Sequence, residues 1–398
     1  MEFFANLGNM LTGNLTAMWA GDPWSILRMV IMWLIGGVLI FLAIKKNMEP
    51  TLLLPMGFGA ILVNLPFSGA ITQTVGGETV IGPLDELFNA GIANELFPLL
   101  LFIGIGAMID FGPLLQNPKL LVFGAAAQFG IFFTLSLASL FSGFFPEING
   151  QAFRIQDAAA IAAIGAADGP TAIFLGDWFQ TPYFGAIMVA AYSYMALVPV
   201  IQPPVIRAIT TKKERCIRME YSTKSVGKTT RILFPIVVTV IAGIIAPRSV
   251  ALVGFLMFGN LLRECGVLNA LSESAQNVLA NLITLLLGIT VATQMQADKF
   301  LNWGTLLIMG LGLVAFVFDT VGGVLFAKLL NVFSKKKINP MIGACGISAF
   351  PMSSRVIHKM GLEEDPQNFL LMHAAGVNVG GQIASVIAGG ILLSMIAR

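Results

Sequence analysis

Apolar residues form long, nearly uninterrupted runs along this chain, and polar residues are gathered into short stretches between them. A helix needs about 20 predominantly apolar residues to cross a bilayer. The pattern therefore predicts an all-α polytopic membrane protein. The runs lie near residues 25–44, 51–65, 95–111, 119–142, 183–206, 231–247, 250–264, 279–295, 303–330 and 369–396.

The N-terminal stretch, residues 1–24, precedes these runs and differs from them. Its first 20 residues contain no Lys or Arg, so it does not resemble a secretory signal peptide. The stretch predicts an interfacial helix that lies along the membrane surface. Large apolar residues recur on one side of that helix, at Phe3, Phe4, Leu7, Met10 and Leu11.

Two segments interrupt the apolar pattern with Gly and Pro residues. Residues 161–174 contain Asp168-Gly169-Pro170, and residues 339–355 contain Pro340 and Pro351. Proline removes a backbone donor and disfavours helix at the residue before it. Irregular backbone at membrane depth persists only where it is packed in protein or lines a wet cavity. We therefore predict a re-entrant hairpin at each break.

The breaks fall at equivalent places in an internal duplication. Phe58-Gly59-Ala-Ile-Leu62 returns as Phe258-Gly259-Asn-Leu-Leu262, in the same order relative to the breaks. About five spans in each copy would invert the second copy relative to the first, as in many transporters. The predicted inverted repeats are residues 25–206, with the Asp168 hairpin, and residues 231–398, with the Asn339–Arg355 hairpin.

Composition and charge agree with a membrane protein. The chain is 56% hydrophobic and 11% charged, where a soluble domain carries about 25% charged residues. The stretch 207–230 holds seven basic residues against two acidic ones. The positive-inside rule makes it a basic cytoplasmic loop, so that the two hairpins enter from opposite faces. Lys45, Lys46, Lys119, Arg263 and Lys335–Lys337 fall on the same side, and Lys299 falls on the other.

Several function classes have no support in the sequence. The three cysteines, Cys216, Cys265 and Cys345, are too far apart for a zinc motif or a disulfide framework. No phosphate-binding loop, dinucleotide fingerprint or nucleophile elbow occurs, and no nucleic-acid partner is predicted. Chemistry is therefore expected from the polar residues inside the membrane.

Asp168 is the strongest candidate among those polar residues. An ionised carboxylate in the hydrocarbon layer costs several kcal/mol, and such residues usually line an ion path. Oxygen atoms suit alkali cations, and further oxygen donors lie at the breaks and in the last span. These are the Thr171 hydroxyl, Asn339, Ser348, Ser353, Ser354, Asn378 and the carbonyls around Gly165 and Gly343. For the neutral residues, hydrogen bonding between helices is the alternative.

Three other polar positions leave two interpretations open. Arg355 could hold a carboxylate arriving from the cytoplasm, or reach to lipid headgroups. Tyr194, close to Tyr192, could relay a proton or pack as an ordinary ring. Asp319 has no neighbouring Gly or Pro and is predicted to make a helix-to-helix hydrogen bond, with direct ion binding as the alternative.

The chain resembles the membrane-embedded beta subunit of the biotin-dependent sodium-pumping decarboxylases, which act on oxaloacetate, methylmalonyl-CoA or glutaconyl-CoA. The resemblance runs over essentially the whole chain. It is most specific in Gly165-Ala-Ala-Asp-Gly-Pro-Thr-Ala-Ile-Phe174, Asn339-Pro-Met-Ile-Gly343, Pro351-Met-Ser-Ser-Arg355 and Asn368-Phe-Leu-Leu-Met-His-Ala-Ala-Gly-Val-Asn378-Val. Val377 is a departure, because the family commonly has proline there.

The resemblance implies a role for each matching residue. Asp168 would bind sodium and be linked to the proton consumed in decarboxylation, and Tyr194 would serve coupling. Arg355 would act at the carboxybiotin end. The remaining sodium-site positions would be Asn339, Gly343, Ser348 and Asn378.

The resemblance also implies substrates and partners. A partner subunit would supply carboxybiotin, whose decarboxylation would drive sodium export across the bacterial cytoplasmic membrane. Biotin carrier and carboxyltransferase subunits, a small membrane subunit and a homotrimer of this chain would complete the complex. A sodium- or proton-coupled secondary transporter of an organic anion is the alternative, and Arg355 would then hold the transported anion.

Overall fold

The structure is a computed structural model that describes residues 22–66, 68–75, 78–148, 151–220 and 226–396. Of the stretch 1–24 predicted to form an interfacial helix, residues 1–21 lie outside the described residues, and Pro23 and Trp24 belong to the first described helix. In the first half, the helices and strands are α1 Pro23–Lys46, α2 Pro50–Val63, β1 Gln73–Val75, β2 Glu78–Val80, α3 Pro83–Gly91, α4 Leu96–Met108, α5 Gly112–Gln116, α6 Leu120–Ala127, α7 Phe129–Leu140, α8 Ile155–Ala162, α9 Gly169–Trp178 and α10 Phe184–Ile209.

The second half continues with helices only, among the described residues. They are α11 Lys212–Arg215, α12 Lys228–Ile245, α13 Val250–Glu264, α14 Asn269–Glu273, α15 Ala280–Val291, α16 Ala297–Phe300, α17 Trp303–Phe333, α18 Met352–Glu364 and α19 Leu371–Met395. A π-helical turn, Ser274–Leu279, precedes α15. Short 3-10 segments occur at Ser142–Phe144, Ala163–Ala166, Pro247–Ser249, Ala292–Gln294 and Pro340–Gly346.

The prediction of an all-α polytopic membrane protein is confirmed. Within the described part of the chain, seven helical stretches are long and apolar enough to cross a membrane. The other three apolar runs form α2, α4 and α13, of 14, 13 and 15 residues. At 1.5 Å per residue these helices are only about 20 Å long, shorter than a hydrocarbon core of about 30 Å. The seven long stretches are Pro23–Lys46, Leu120–Leu140, Phe184–Ile209, Lys228–Ile245, Asn269–Gln294, Trp303–Phe333 and Leu371–Met395.

Local sequence explains where α1 begins and ends. Pro23 stands in its first turn, where the missing backbone N–H costs nothing. Lys45 and Lys46 stand in its last turn, where they face the negative end of the helix dipole. Asn47 closes the helix in the left-handed conformation, at φ 50°.

The described residues form two compact units. The first runs up to Ala90 and includes Leu285–Asn302, and the second contains Gly91–Thr284 and the chain from Trp303 onward. In the first unit α2 packs against the segment after α15, since a Cβ on Gly59 would lie 2.5 Å from Cβ of Ala292. This unit also holds the two-stranded antiparallel sheet of β1 and β2, an element that the apolar pattern did not predict.

In the second unit α4 packs against α13 through two glycines. A Cβ on Gly106 would lie 1.9 Å from the carbonyl oxygen of Leu256, and one on Gly259 would lie 2.1 Å from that of Ile103. Only glycine permits backbones to approach this closely.

The first broken segment turns back to the end at which it begins. It consists of α8, the 3-10 turn Ala163–Ala166 and α9. Arg154 caps α8, and its Nη2 also donates a hydrogen bond to the carbonyl oxygen of Phe179, just beyond α9, at 3.3 Å. The two ends of this segment, the first hairpin, are therefore in contact.

The second broken segment also turns back. It begins at Asn339, passes through the 3-10 segment Pro340–Gly346, and returns along α18. Nδ2 of Asn339 and Nδ2 of Asn368 both donate to the carbonyl oxygen of Arg215, at 2.8 and 2.9 Å. The two ends of this segment, the second hairpin, thus meet on one residue of the basic loop.

The two hairpins open at opposite ends of α10. The first hairpin ends shortly before Phe184, the first residue of α10, and the second opens on Arg215, shortly after Ile209, its last residue. The 26 residues of α10 make it about 39 Å long. That length exceeds the thickness of a hydrocarbon core.

Candidate functional site

The tips of the two hairpins are in direct contact inside the second unit. The backbone amide of Ser348 donates to the carbonyl oxygen of Ala166 at 2.9 Å. The Ser348 hydroxyl donates to the hydroxyl of Ser385 on α19, which in turn donates to Oδ2 of Asp168 at 2.9 Å. One chain of hydrogen bonds therefore connects the second hairpin, α19 and the carboxylate of the first hairpin.

The backbone at the helix break fixes the position of Asp168. Ala167 takes the left-handed conformation, with φ 51°, and Asp168 then becomes the N-cap residue of α9. Its Oδ2 accepts a hydrogen bond from Oγ1 of Thr171 at 2.8 Å, and its side chain is buried. Among the described residues no Lys or Arg forms an ion pair with Asp168. The carboxylate therefore has hydroxyl donors and no counter-charge, which is an arrangement that a cation or a proton can complete.

Asn378 lies on the same face of α19, two turns before Ser385. Its Nδ2 donates to the carbonyl oxygen of Ile347 at 2.7 Å. Its Oδ1 is buried and has no hydrogen-bond partner among the described residues. An unpaired buried oxygen is costly, and such an oxygen is free to coordinate a cation beside the tip of the second hairpin.

A similar amide stands at the break between α6 and α7. Nε2 of Gln128 donates to the carbonyl oxygens of Gly124 and Gly346, at 3.0 and 3.2 Å. Its Oε1 is buried without a partner in the described part of the structure. Gln128 and Asn378 thus bind the adjacent carbonyls of Gly346 and Ile347 from two different helices.

The two tyrosines occupy different surroundings. The Tyr194 hydroxyl donates to the carbonyl oxygen of Met309, and its ring packs on Gly312 of α17. Tyr192 instead lies against the first hairpin, because a Cβ on Gly169 would be 2.5 Å from its ring. The buried Tyr192 hydroxyl has no partner among the described residues. The structure thus puts Tyr192, and not Tyr194, against the residue next to Asp168.

Asn339, one of the predicted sodium ligands, lies apart from the tip cluster. Its Nδ2 donates to the carbonyl oxygens of Arg215 and Ile217, at 2.8 and 2.9 Å, and its Oδ1 accepts from the amide of Met341 at 3.1 Å. The seven-residue 3-10 segment that follows rises by about 14 Å. Asn339 therefore stands at the base of the hairpin, whereas Ser348 stands at its tip.

Gly343 lies between base and tip and serves close packing. A Cβ on Gly343 would lie 2.1 Å from the carbonyl oxygen of Gly323 on α17, and a Cβ on Gly323 would lie 2.0 Å from that of Gly343. The two backbones touch where neither side has a side chain.

Arg355 is separate from the tip cluster. It is exposed in the first turn of α18, and no ion pair to it occurs among the described residues. The two preceding serines face inward: Ser353 donates to Oε1 of Gln202 at 2.9 Å, and Ser354 to the carbonyl oxygen of Pro351 at 2.7 Å. They bind protein groups and add no hydroxyl to the Asp168 cluster.

Asp319 is buried in α17 between two glycines. A Cβ on Gly130 would be 2.2 Å from its Oδ1, and one on Gly165 would be 2.9 Å from its Oδ2. The carboxylate faces the amides of Gly130 and Ile131 in the first turn of α7, but neither oxygen makes a well-formed hydrogen bond to a described group. Asp319 thus faces α7 from α17, as a helix-to-helix contact requires, without a well-formed hydrogen bond, and it also approaches Gly165 of the first hairpin.

Sequence reasoning missed Ser385 and Gln128. Ser385 follows Asn378 by seven residues, a spacing that puts both on one face of a helix. That spacing was the available signal for Ser385. Gln128 had no comparable signal, because its role depends on a break in an otherwise continuous apolar run.

The open end of the second hairpin is charged and lies against the basic loop. Arg218 donates to Oδ2 of Asp365 at 2.6 Å, and this hydrogen bond lowers the pKa of Asp365 below its usual value. Lys328 of α17 pairs with Glu214 at 3.1 Å. The loop is thus attached to residues on both sides of the hairpin.

Comparison with known proteins gives one consistent result. The profile of the Na+-transporting oxaloacetate decarboxylase beta subunit matches residues 28–396. The chain belongs to this family. It is 47% identical to the methylmalonyl-CoA decarboxylase subunit beta of Propionigenium modestum, over 92% of this chain and 94% of that protein.

Other relatives cover the chain equally well. Identity is 45% to the oxaloacetate decarboxylase beta chain of Klebsiella pneumoniae, over 92% of this chain and 94% of that one. It is 46% to the glutaconyl-CoA decarboxylase subunit beta of Acidaminococcus fermentans, over 92% of both chains. These matches confirm the family resemblance, and family membership gives the chain a decarboxylase and translocase role in a multi-pass membrane protein. Because the relatives are named as beta subunits, other subunits accompany them.

Proposed function

We propose that this chain releases CO2 from carboxybiotin carried by a partner subunit and couples the release to sodium export. The observation that carries the proposal is Asp168, a buried carboxylate at the contact between two hairpin tips, with hydroxyl donors and no counter-charge. Sodium and a proton are the two small cations that can occupy such a place in turn.

The proposed sodium ligands are the oxygen atoms of Asp168, Ser348, Ser385 and Asn378. Asp168 would supply the charge, the hydroxyls would supply neutral oxygens, and Oδ1 of Asn378 is supported by its lack of a partner among the described residues. Gly343 and Asn339 would act indirectly, Gly343 by close packing on α17 and Asn339 by fixing the base of the second hairpin.

The coupling follows from proton balance. Carboxybiotin loses CO2 when the bond between its ring nitrogen and the carboxylate carbon breaks, and the nitrogen takes up one proton. An ionised Asp168 would hold sodium, and a protonated Asp168 would release it. Moving one charge against 100 mV costs about 2.3 kcal/mol, so the reaction can drive export only when protonation and site access change together. Tyr194 would contribute to this change from α10, and Tyr192 is the tyrosine closer to the carboxylate.

The inverted-repeat architecture is part of the proposal. Three features support it: both broken segments turn back, their tips meet, and they open at opposite ends of α10. The helix packing also supports it. In the first repeat, α2 packs on the segment after α15 and α4 packs on α13, so each contact joins a helix of one repeat to a helix of the other.

The orientation can be tested with the native cysteines. Cys216 lies in the basic loop and Cys265 follows α13, and both are partly exposed, whereas Cys345 is buried. If residues 207–230 are cytoplasmic, an impermeant maleimide should label Cys216 and Cys265 in inverted vesicles but not in intact cells. Ready labelling of Cys216 in intact cells would reverse the proposed orientation.

Arg355 is proposed to hold the carboxylate of carboxybiotin. It lies in the first turn of α18, nearer the tip of the second hairpin than its base on the basic loop, so the carboxylate would have to pass that base to reach it. It is exposed and makes no ion pair among the described residues. Its planar guanidinium can form two parallel hydrogen bonds to a carboxylate, which a lysine ammonium cannot do. Arg355→Lys should slow decarboxylation about tenfold or more at saturating sodium, the loss expected for one charged hydrogen bond, and leave the sodium concentration for half-maximal activity nearly unchanged.

The matched control for Arg355 is Lys359→Arg, one turn later and also exposed. It should retain the wild-type rate, because it keeps a charge at a position that is not assigned to the substrate. A shift in sodium dependence with a normal saturated rate in Arg355→Lys would assign Arg355 to the ion pathway instead.

The complex that we propose contains biotin carrier and carboxyltransferase subunits, a small membrane subunit and three copies of this chain. The function is tested by supplying that complex, in inverted vesicles, with a carboxyl donor and measuring 22Na uptake and CO2 release together. Strict dependence of both on biotin supports the proposal. Counterflow of a labelled organic anion without CO2 release would favour an anion transporter.

A further inference from the structure

Arg215 is the centre of a polar contact at the base of the second hairpin. Its carbonyl oxygen accepts hydrogen bonds from Asn339 and Asn368, at 2.8 and 2.9 Å, and its Nε donates to Oε1 of Glu364 at 2.7 Å. Asn339 begins one limb of the hairpin, whereas Glu364 and Asn368 end the other. One residue thus joins both limbs, and we call these four residues the clasp.

The clasp is better shielded than the ion pairs around it. The side chains of Arg215 and Glu364 are 13% and 14% exposed, against 53% and 46% for the nearby Arg207–Glu363 pair. Exposed pairs contribute little, while removing one partner of a shielded pair is costly. Nη1 of Arg215 also donates to the carbonyl oxygen of Thr210 at 2.7 Å, which orients the guanidinium toward the end of α10.

The second hairpin is held at three levels, from its base to its tip. Between the two, the limb is braced by Gln202 of α10, whose Nε2 donates to the carbonyl oxygen of Ala344 at 2.8 Å. The tip residue Ser348 is held by its amide bond to Ala166. A limb held at its base, middle and tip has little freedom, and losing the base contact leaves only the middle and tip contacts to hold Ser348 beside Asp168.

We propose that Arg215 is a positioning residue for sodium binding. By holding both limbs of the second hairpin it keeps Ser348 beside Asp168 and Ser385, and it contacts no ion itself. This inference rests on the proposed sodium site at Asp168. It gives the basic loop a task in the transport cycle, because the second hairpin can move only when the clasp opens.

The test compares Arg215→Gln with Arg207→Gln in the assembled complex. Arg215→Gln removes the shielded ion pair to Glu364 but keeps the backbone carbonyl that Asn339 and Asn368 bind, so it tests the contribution of the side chain. We expect the sodium concentration for half-maximal decarboxylation to rise roughly five- to tenfold. The rate at saturating sodium should stay near the wild-type rate, because sodium can restore the closed tip by mass action. Arg207→Gln should change neither quantity, and Glu364→Gln should repeat the effect of Arg215→Gln.

Cys216 offers a readout that is independent of activity. Its thiol donates to the carbonyl oxygen of Glu364 at 3.7 Å, so its access depends on the clasp. In wild type, sodium in place of choline should slow the labelling of Cys216 by maleimide. In Arg215→Gln, labelling in choline should be several-fold faster. Cys265, whose thiol donates to the carbonyl oxygen of Leu262 in its own helix, should react at an unchanged rate.

Several results would overturn the inference. One is an Arg215→Gln complex with wild-type sodium dependence and wild-type Cys216 labelling. Another is a loss of rate at saturating sodium with no change in the sodium requirement, which would connect Arg215 to the carboxybiotin reaction. If Arg215→Gln does not assemble, Glu364→Gln decides the question by the same two measurements. Asp168→Asn in the same series tests the sodium site itself, so the two failures remain distinguishable.

Discussion

Replacing Asp168 by Asn should abolish both carboxybiotin decarboxylation and sodium uptake into inverted vesicles, while the protein still assembles. Asparagine preserves the shape and can still accept hydrogen bonds from Thr171 and Ser385, the two hydroxyls that reach Asp168. It cannot carry the negative charge that holds sodium, nor the proton that releases it. A positioned proton-transfer group contributes roughly 100-fold or more, so the residual rate should be at or below 1%.

Asp177 supplies a matched control for this change. It lies near the end of α9, the helix that Asp168 caps, and is only partly buried. Asp177→Asn should retain sodium-dependent decarboxylation. The assay is CO2 release and 22Na uptake by purified complexes of equal subunit composition. Wild-type coupling in Asp168→Asn would remove the basis of the proposed mechanism.

A single methyl group at Gly323 should also eliminate most activity, although Gly323 contacts no proposed ligand. A Cβ there would overlap the carbonyl oxygen of Gly343 at 2.0 Å. Neither partner is a flexible side chain, so α17 or the second hairpin must move. We expect Gly323→Ala to lower stability by about 2 kcal/mol. Displacement of the tip by about 1 Å should reduce turnover up to 100-fold.

Gly310 is the control for that substitution, because it lies in the same helix with open space where a Cβ would be placed. Gly310→Ala should leave thermal stability and turnover unchanged or slightly raise stability. The measurements are the midpoint of thermal unfolding in detergent and the decarboxylation rate at saturating sodium. Equal behaviour of the two alanine variants would show that the Gly323–Gly343 contact does not position the hairpin.

The elements predicted best were those whose signal is local. Long apolar runs gave the spans, since burial in lipid requires about 20 consecutive apolar residues whatever else the chain does. The Gly-Pro pair after Asp168 also predicted that the helix is interrupted there, because proline and glycine restrict or loosen the backbone of their immediate neighbours. The three short helices were less predictable, since an apolar run does not reveal where a helix within it ends.

The structure brings together some of the predicted site residues and separates others. Asp168 and Ser348 both bind Ser385 at the tips, whereas Asn339 stands at the base. The separation has a physical cause. Polar residues in one broken segment need not share a location, because a seven-residue 3-10 segment separates its ends by about 14 Å.

The sequence by itself determined that this is a membrane protein with an acidic residue at a helix break, and its motifs determined the family. Those conclusions rest on hydropathy, backbone restriction and residue identity, all of which act within a few positions. Only the tertiary structure decided that Ser385 supplies a hydroxyl to Asp168 and that Tyr192 lies against the first hairpin. It also decided that Arg215 joins both limbs of the second hairpin. Such contacts join residues that are far apart in the chain. Whether a buried polar atom has a hydrogen-bond partner depends on which distant groups the packing places next to it.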